Sequence, residues 1–500
     1  MILPHGVLFR GNAESVIRKN LLMKGYIKGV IGLAPNLFYG TSIPACVIIL
    51  DKENARVRKG VFMIDASKDF KKDGNKNRLR DQDVQKMIDT FNAYKEIPYY
   101  SKMVSLEEIS ANDYNLNILR YITAKQESEK DLFALINSPS YLPKNEIKAY
   151  APYFQVFKEL KNTLFKKSDK EGYYALKTEC ENIKDLITQS LEFQTFHASV
   201  LDAFDRLDLF ETFDNLEQIF KKDDSKTKQE TPKTLIESVC QKVLKEFEKV
   251  GILDKYGVYQ LFKDYYNEVL QDDWFLISFN GFISAKELRK LNPLKDKNKK
   301  ANYLEEPDFV IQKTYYKSDL IPKNLIKQRF FEKETKELEE LENALNEKEA
   351  LLDEFIEEHS NEEGLFDGLK INESVLKKEL KNATDLEDKE TLKTALEWLE
   401  AKNKALKMKN KAYEELELKA FHQYKNLEIN EIKDLIIKDK WLNSLKNALE
   451  NKIQKRINAF NSALNEIISS YSNSLLELDK EVKESESKVL EHLKDLGLMG

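Results

Sequence analysis

Apolar residues recur in two regimes along this chain: short unbroken runs near the N-terminus, and long stretches at helical spacing toward the C-terminus. The runs 27–33 (IKGVIGL), 45–50 (ACVIIL) and 61–66 (VFMIDA) have the short, continuous form of strands buried on both faces. Ile2 and Leu3, stopped by Pro4, read as the tail of a further buried strand. Asn12 is placed to cap a helix, Glu14 suits its positive end, Ile17 and Leu21 repeat at helical spacing, and Lys24 and Gly25 make a stop. Strand, helix, then two strands joined directly predict the last part of an open α/β sheet, with 27–33 and 45–50 as an antiparallel hairpin. The connection 34–44 is about twice the common hairpin-loop length, and such loops usually have a job.

Residues 68–80 are polar and basic, and Asp81 is placed to cap a helix with Val84, Ile88 and Phe91 at the 3.6 period. The middle, roughly 111–330, mixes helical stretches with aromatic-rich segments at 141–154 and 259–282. The charged stretches 221–232 and 295–300 read as exposed loops. From about 322 onward Glu, Lys, Leu and Asn dominate, and Leu338, Leu341, Leu345, Leu352 and Phe355 keep the spacing of an a/d seam. Further amphipathic helices are predicted over 373–420 and 430–495, with breaks near 364–368 and 424–430; antiparallel hairpins or a bundle fit these breaks better than one rod. The expected organisation is an α/β segment over 1–110, a mixed, mainly helical extension over 111–330, and long coiled-coil-like helices over 331–500.

Composition changes this picture only at a few points. The formal charge of -6 on 500 residues argues against stand-alone DNA binding, though not against a role in a DNA-binding complex, because phosphate contact needs only a local basic surface. Such a surface is on offer at 71–80, where Lys71, Lys72, Lys76, Arg78 and Arg80 face one acid, Asp73. Phosphate contact and ordinary solvated surface are both open readings of that run. No apolar run approaches the roughly 20 residues of a membrane span, and the start MILPHGVLFRG lacks the pattern of a secretory signal. Cys46, Cys180 and Cys240 are few and far apart, as reduced thiols in a cytoplasm are. His5 reads as a surface or hydrogen-bonded structural histidine rather than an acid/base, and Asp272 and Asp273, without His or Cys nearby, as a structural turn or exposed edge rather than metal ligands.

The run LPHGVLFRGNAESVIRKNLL, followed by VIGLAPNLFYGTSIPACVIIL, resembles the stretch after the catalytic loop in modification (M) subunits of type I restriction-modification systems. Further phrases keep that family's order: VFMIDAS, NRLRDQDVQKMIDTFN, NDYNLNILRYI, QDDWFLISFNGF, KSDLIPKNLI, EEHSNEEGL and KDKWLNSL. The resemblance implies the C-terminal part of a class I S-adenosylmethionine methyltransferase with a Rossmann-like sheet, acting on adenine N6 of DNA, followed by helices that dock on the specificity (S) subunit. Restriction (R) subunits and DNA are the other implied partners. The family's two upstream motifs have no match: there is no G-x-G, and the nearest approach to Asn-Pro-Pro-aromatic is Asn292-Pro293-Leu294. The expectation is therefore a partial M subunit without catalytic or cofactor-binding residues of its own, completed by a missing or separately encoded N-terminal half. The alternative is an inactive remnant or scaffold that binds the S subunit. Within 34–44, residue types alone leave Phe38 or Tyr39 as a possible plug of the core beneath the hairpin. The resemblance assigns Phe38 to stacking on the target base, with Tyr39 the lesser candidate and Gly40 giving the backbone freedom.

Overall fold

The structure is a computed structural model that describes all residues except 124–130, 137–140, 178–182, 221–229, 293–304, 361–364, 367–368, 472–474 and 496–500. The basic stretch 295–300, most of the stretch 221–232, and Cys180 thus lie outside the described residues; Pro232 itself opens the helix Pro232–Glu246. The chain forms two compact units, one of Met1–Asp208, Lys233–Glu268 and Leu445–Gly500, the other of Leu209–Pro232 and Val269–Ser444.

The first unit begins with a five-stranded mixed sheet. Its members in chain order are β1 (Ile2–Pro4), β2 (Ile27–Leu33), β3 (Ala45–Leu50), β4 (Gly60–Ala66) and, after an intervening hairpin, a strand at Ser101–Ser105. β3 lies between β1 and β2 and pairs antiparallel with both, while β2 and β4 are parallel, with Ile31 opposite Ile64. The expected hairpin of the second and third strands is therefore present. The unbroken run in β4 is explained by burial on both faces. Val61 and Met63 join a core with Leu22, Val30 and Cys46, whereas Phe62, Ile64 and Ala66 join a second core with Ile31, Leu33 and Met87. Phe62 is fully buried, edge-on to Tyr94 with ring centroids 5.3 Å apart.

Three local expectations need correction. The stub at Ile2 is an exposed edge strand, not a buried one, because the described structure pairs it only with β3. Helix α1 (Asn12–Met23) takes Gly11, not Asn12, as its N-cap; Asn12 is already the first helical residue, with φ of 56°. Its buried positions are Arg18 and Leu22, while Ile17 is exposed. The Arg18 guanidinium is buried because it donates to the carbonyls of Val7 (2.9 Å), Arg10 (3.1 Å) and Tyr114 (2.8 Å), which ties the helix to two loops.

The helix after the basic run, α2 (Asp81–Asn92), is turned from the predicted face. Val84 and Ile88 are exposed, and Met87 and Thr90 face inward, with Phe91 partly buried against the core. The reason lies at its start: Asp83 is buried and accepts from the Arg80 backbone N–H (2.9 Å), Nε (2.9 Å) and Nη2 (2.8 Å). Arg80 is the N-cap residue, so Asp81 is not.

In the second unit the helices Glu332–Glu358 and Leu386–Asn426 lie side by side and antiparallel. Their ion pairs run in opposite chain directions: Glu349 to Lys402 (3.1 Å), Glu342 to Lys409 (3.4 Å) and Glu334 to Lys419 (3.0 Å). Leu338, Leu345 and Leu352, seven residues apart, are buried along the seam. The single helix expected over 373–420 is broken at Ala383, and Asp385 starts the next helix by accepting from the Glu387 N–H. Asp272 and Asp273 lie on the helix Gln271–Asn280 rather than on a turn or edge; Asp273 is buried, accepting from Lys440 Nζ (2.6 Å) and Trp441 Nε1 (2.7 Å). Burial pushes the Asp273 carboxyl pKa up against the pull of Lys440.

Candidate functional site at the carboxyl end of the sheet

In open α/β sheets ligands bind outside the carboxyl ends of the parallel strands. Two segments occupy that end here. The loop 34–44 leaves β2, and after β4 the chain makes a small hairpin of β5 (Lys71–Asp73) and β6 (Lys76–Arg78). Gly74, with φ of +59°, is the first of two linking residues, where a tight hairpin needs a positive φ.

The loop divides its residues sharply. Ala34 is buried and Leu37 packs on the sheet core, so Leu37 is the residue that fills the space beneath the hairpin. Phe38 is 42% exposed and Tyr39 is 94% exposed. Gly40 follows with φ of +78° and open space where a Cβ would stand, so the backbone turns there in a conformation that side chains disfavour. An aromatic ring half in solvent beside a glycine turn is a surface that a planar group could stack on.

The hairpin lies along this loop. Asn77 donates its backbone N–H to the Asn36 carbonyl (3.0 Å) and its side-chain Nδ2–H to the Pro35 carbonyl (2.8 Å). Lys76 Nζ donates to the Phe38 carbonyl (2.9 Å). The five basic residues of 71–80 therefore do not form one patch. Lys76 is engaged with the loop and Arg80 with Asp83, while Lys71, Lys72 and Arg78 are exposed, Arg78 reaching Asp73 at 3.8 Å. Asn77 escaped the sequence reading altogether. The available signal was Asp73-Gly74-Asn75, a tight-turn sequence inside what looked like a plain charge run.

His5 borders the same end of the sheet: its backbone N–H donates to Pro44, the last residue of the loop (2.9 Å). Its ring is half-buried against Phe9, and burial lowers its pKa despite the opposing charge of Asp65. Leu8 is fully buried, and a Cβ on Gly6 would stand 2.7 Å from the Arg10 guanidinium group. The turn between β1 and α1 has only Gly6 and Gly11 as its glycines, and the sequence has no G-x-G. Among the described residues no three His, Cys, Asp or Glu side chains converge as metal ligands would, and no helix is long and apolar enough to cross a membrane. Cys46 and Cys240 are buried free thiols whose pKa values burial pushes up to about 11 and about 12, far from a reactive thiolate.

An open mixed sheet carries an accessible aromatic loop at its carboxyl end, and comparison with known proteins shows what this α/β segment is similar to. Residues 1–130 match the family model of the N-6 DNA methylases. Over 133 residues the chain is 38% identical to the type I restriction enzyme MjaVII methylase subunit of Methanocaldococcus jannaschii, covering 26% of this chain and 23% of that protein. It is 34% identical over 125 residues to the MpnII methylase subunit of Mycoplasma pneumoniae, covering 25% and 23%. Among solved structures, the type I restriction-modification methyltransferase subunit of Streptococcus thermophilus is 48% identical over 25% of this chain and 26% of that one, with a TM-score of 0.23. The N-terminal quarter of this chain is thus similar to part of the methylase subunits of type I restriction enzymes, and the match spans about a quarter of the length of those curated relatives.

Proposed function

We propose that this chain supplies the substrate-receiving and assembly side of a type I restriction-modification methyltransferase, which transfers a methyl group from S-adenosylmethionine to adenine N6 in DNA. The observation that carries this reading is Phe38, exposed on a long loop at the carboxyl end of β2, within the segment that matches the N-6 DNA methylases. A target base must leave the duplex to react, and an aromatic ring beside the pocket stacks on it. In this reading the exposed Lys71, Lys72 and Arg78 meet DNA phosphates, whereas Lys76 and Arg80 already have partners within the protein.

In this reading the methyl-donor site and the Asn-Pro-Pro-aromatic loop, which would hold the adenine amino group, come from outside this chain, and no step through the cofactor belongs to it. We assign the coiled-coil-like helices of 331–500 to docking on the S subunit, and through it to the R subunit and DNA, with the division at 110 and 330 marking the methyltransferase segment and its extension.

The test is co-expression with a methyltransferase N-terminal half and the S subunit, followed by mapping of N6-methyladenine. Phe38→Ala is expected to slow methylation about tenfold to a hundredfold, the equivalent of about 1–3 kcal/mol of base stacking, without loss of complex. Equal rates for the variant and the parent would overturn the base-stacking role. Capture of the S subunit by a complex that never methylates DNA would favour an inactive scaffold instead.

A further inference from the structure

The β5–β6 hairpin joins two features that the sequence keeps 40 residues apart, and its two edges differ in kind. The inner edge, β6, is bonded to the loop at three carbonyls in sequence: Pro35, Asn36 and Phe38. The outer residues carry charge that the protein leaves largely uncompensated. Register sets Lys71 directly opposite Arg78, a like-charge pair that disfavours the hairpin. Among the described residues Asp73 pairs with Arg78, at 3.8 Å, with both side chains about two-thirds exposed. Lys71 and Lys72 have no ion pair among the described residues. An anion lying across Lys71 and Arg78 would relieve the repulsion, and a DNA phosphodiester is the anion that the proposed function brings there.

We propose that this hairpin is a brace for the Phe38 loop, with Asn77 and Lys76 as positioning residues that register a DNA phosphate held at Lys71 and Arg78 against the ring that receives the base. The proposal rests on the base-stacking reading of Phe38 and adds to it a mechanical link. Asn77 fixes the loop where it leaves the core, since both of its hydrogen bonds end at residues just beyond β2. Lys76 fixes the peptide of Phe38 itself. Its ammonium donates to the Phe38 carbonyl at 2.9 Å, one residue beyond Leu37, which packs on the core. A methylase segment without this link would still bind DNA through its lysines, but the ring would meet the base in many orientations.

The experiment uses the full chain and two readouts. The first is hydrogen exchange at the amide of residue 77, which donates to the Asn36 carbonyl, and at Ile43, which donates to the Thr41 hydroxyl, compared among the parent, Asn77→Ala, Lys76→Met and Lys76→Arg. Loss of one net hydrogen bond corresponds to about fivefold to tenfold faster exchange, expected for Asn77→Ala and Lys76→Met with an unchanged melting temperature. Lys76→Arg, which keeps a cationic donor, should restore slow exchange. The second readout is a duplex with 2-aminopurine opposite an abasic position. Asn77→Ala and Lys76→Met, which lose the brace, should bind it with the parent's affinity while the change in 2-aminopurine fluorescence shrinks several-fold, whereas Lys71→Ala should instead weaken binding. Unchanged exchange at residues 77 and 43 in both Asn77→Ala and Lys76→Met would overturn the brace. If exchange quickens as expected but neither Phe38→Ala nor Asn77→Ala alters the fluorescence change, the brace stands as a structural link and the base-stacking reading is what fails.

Discussion

Two regions of this molecule solve the problem of order in opposite ways. The helices Glu332–Glu358 and Leu386–Asn426 repeat one device along their length, with buried leucines every seven residues flanked by exposed ion pairs. The sheet and its carboxyl-end loop use single devices once each: one fully buried phenylalanine, one caged arginine at Arg18, and one asparagine on two carbonyls. A repeated device shares the load, so no single residue is decisive. In the sheet segment the loss of one residue is the loss of a whole function. The largest expected effect follows at once. Phe62→Ala should cost about 3–5 kcal/mol, the range for truncating a buried phenylalanine in a close-packed core. Leu345→Ala should cost about 2 kcal/mol, at the low end of leucine truncations, because two exposed helices can close on the space. Hydrogen exchange read separately over β4 and over 332–358 gives both numbers without assuming that the two units unfold together. A larger loss for Leu345→Ala than for Phe62→Ala would break the comparison.

The same contrast governs what could be read from the chain. Periodicity is a local signal, so the strands 27–33 and 45–50, their antiparallel pairing and the heptad leucines were all legible before any coordinates. Caps and helix faces were less so. Asn12 has the residue type of a cap, yet Gly11 takes that position, and Val84 and Ile88 have the spacing of a core face, yet the buried Arg80–Asp83 cap turns α2 another way. What no local pattern carries is a bond between a loop and a hairpin far along the chain. Asn77 looked like filler in a basic run because both of its partners are carbonyls, which every residue has. Likewise, nothing in the spacing of Asp272 and Asp273 shows that one is buried against Lys440 and Trp441 while the other faces solvent.

His5 gives the smallest expected effect and the finest test of the contrast, because it probes the loop's attachment without removing any core atom. Burial holds its folded pKa below the ordinary 6.5, with Asp65 only partly offsetting this. The folded chain therefore binds the imidazole proton less readily than the unfolded chain does. The stability tied to the neutral ring is fully present above the ordinary value and is lost as pH falls through it toward the folded value. Since the His5 backbone is bonded to Pro44, the loss should appear first as faster exchange in the adjoining loop, while the helices Glu332–Glu358 and Leu386–Asn426 stay unchanged over the same interval. Exchange over 34–44 compared between about pH 7.5 and about pH 5.5, after correction for the intrinsic rate, measures this. His5→Gln, which cannot titrate, should flatten the difference in the loop and leave the helices as they were. If the loop loosens equally in His5→Gln, the pH sensitivity belongs to some other group, and the carboxyl end of the sheet does not depend on single residues as fully as the comparison requires.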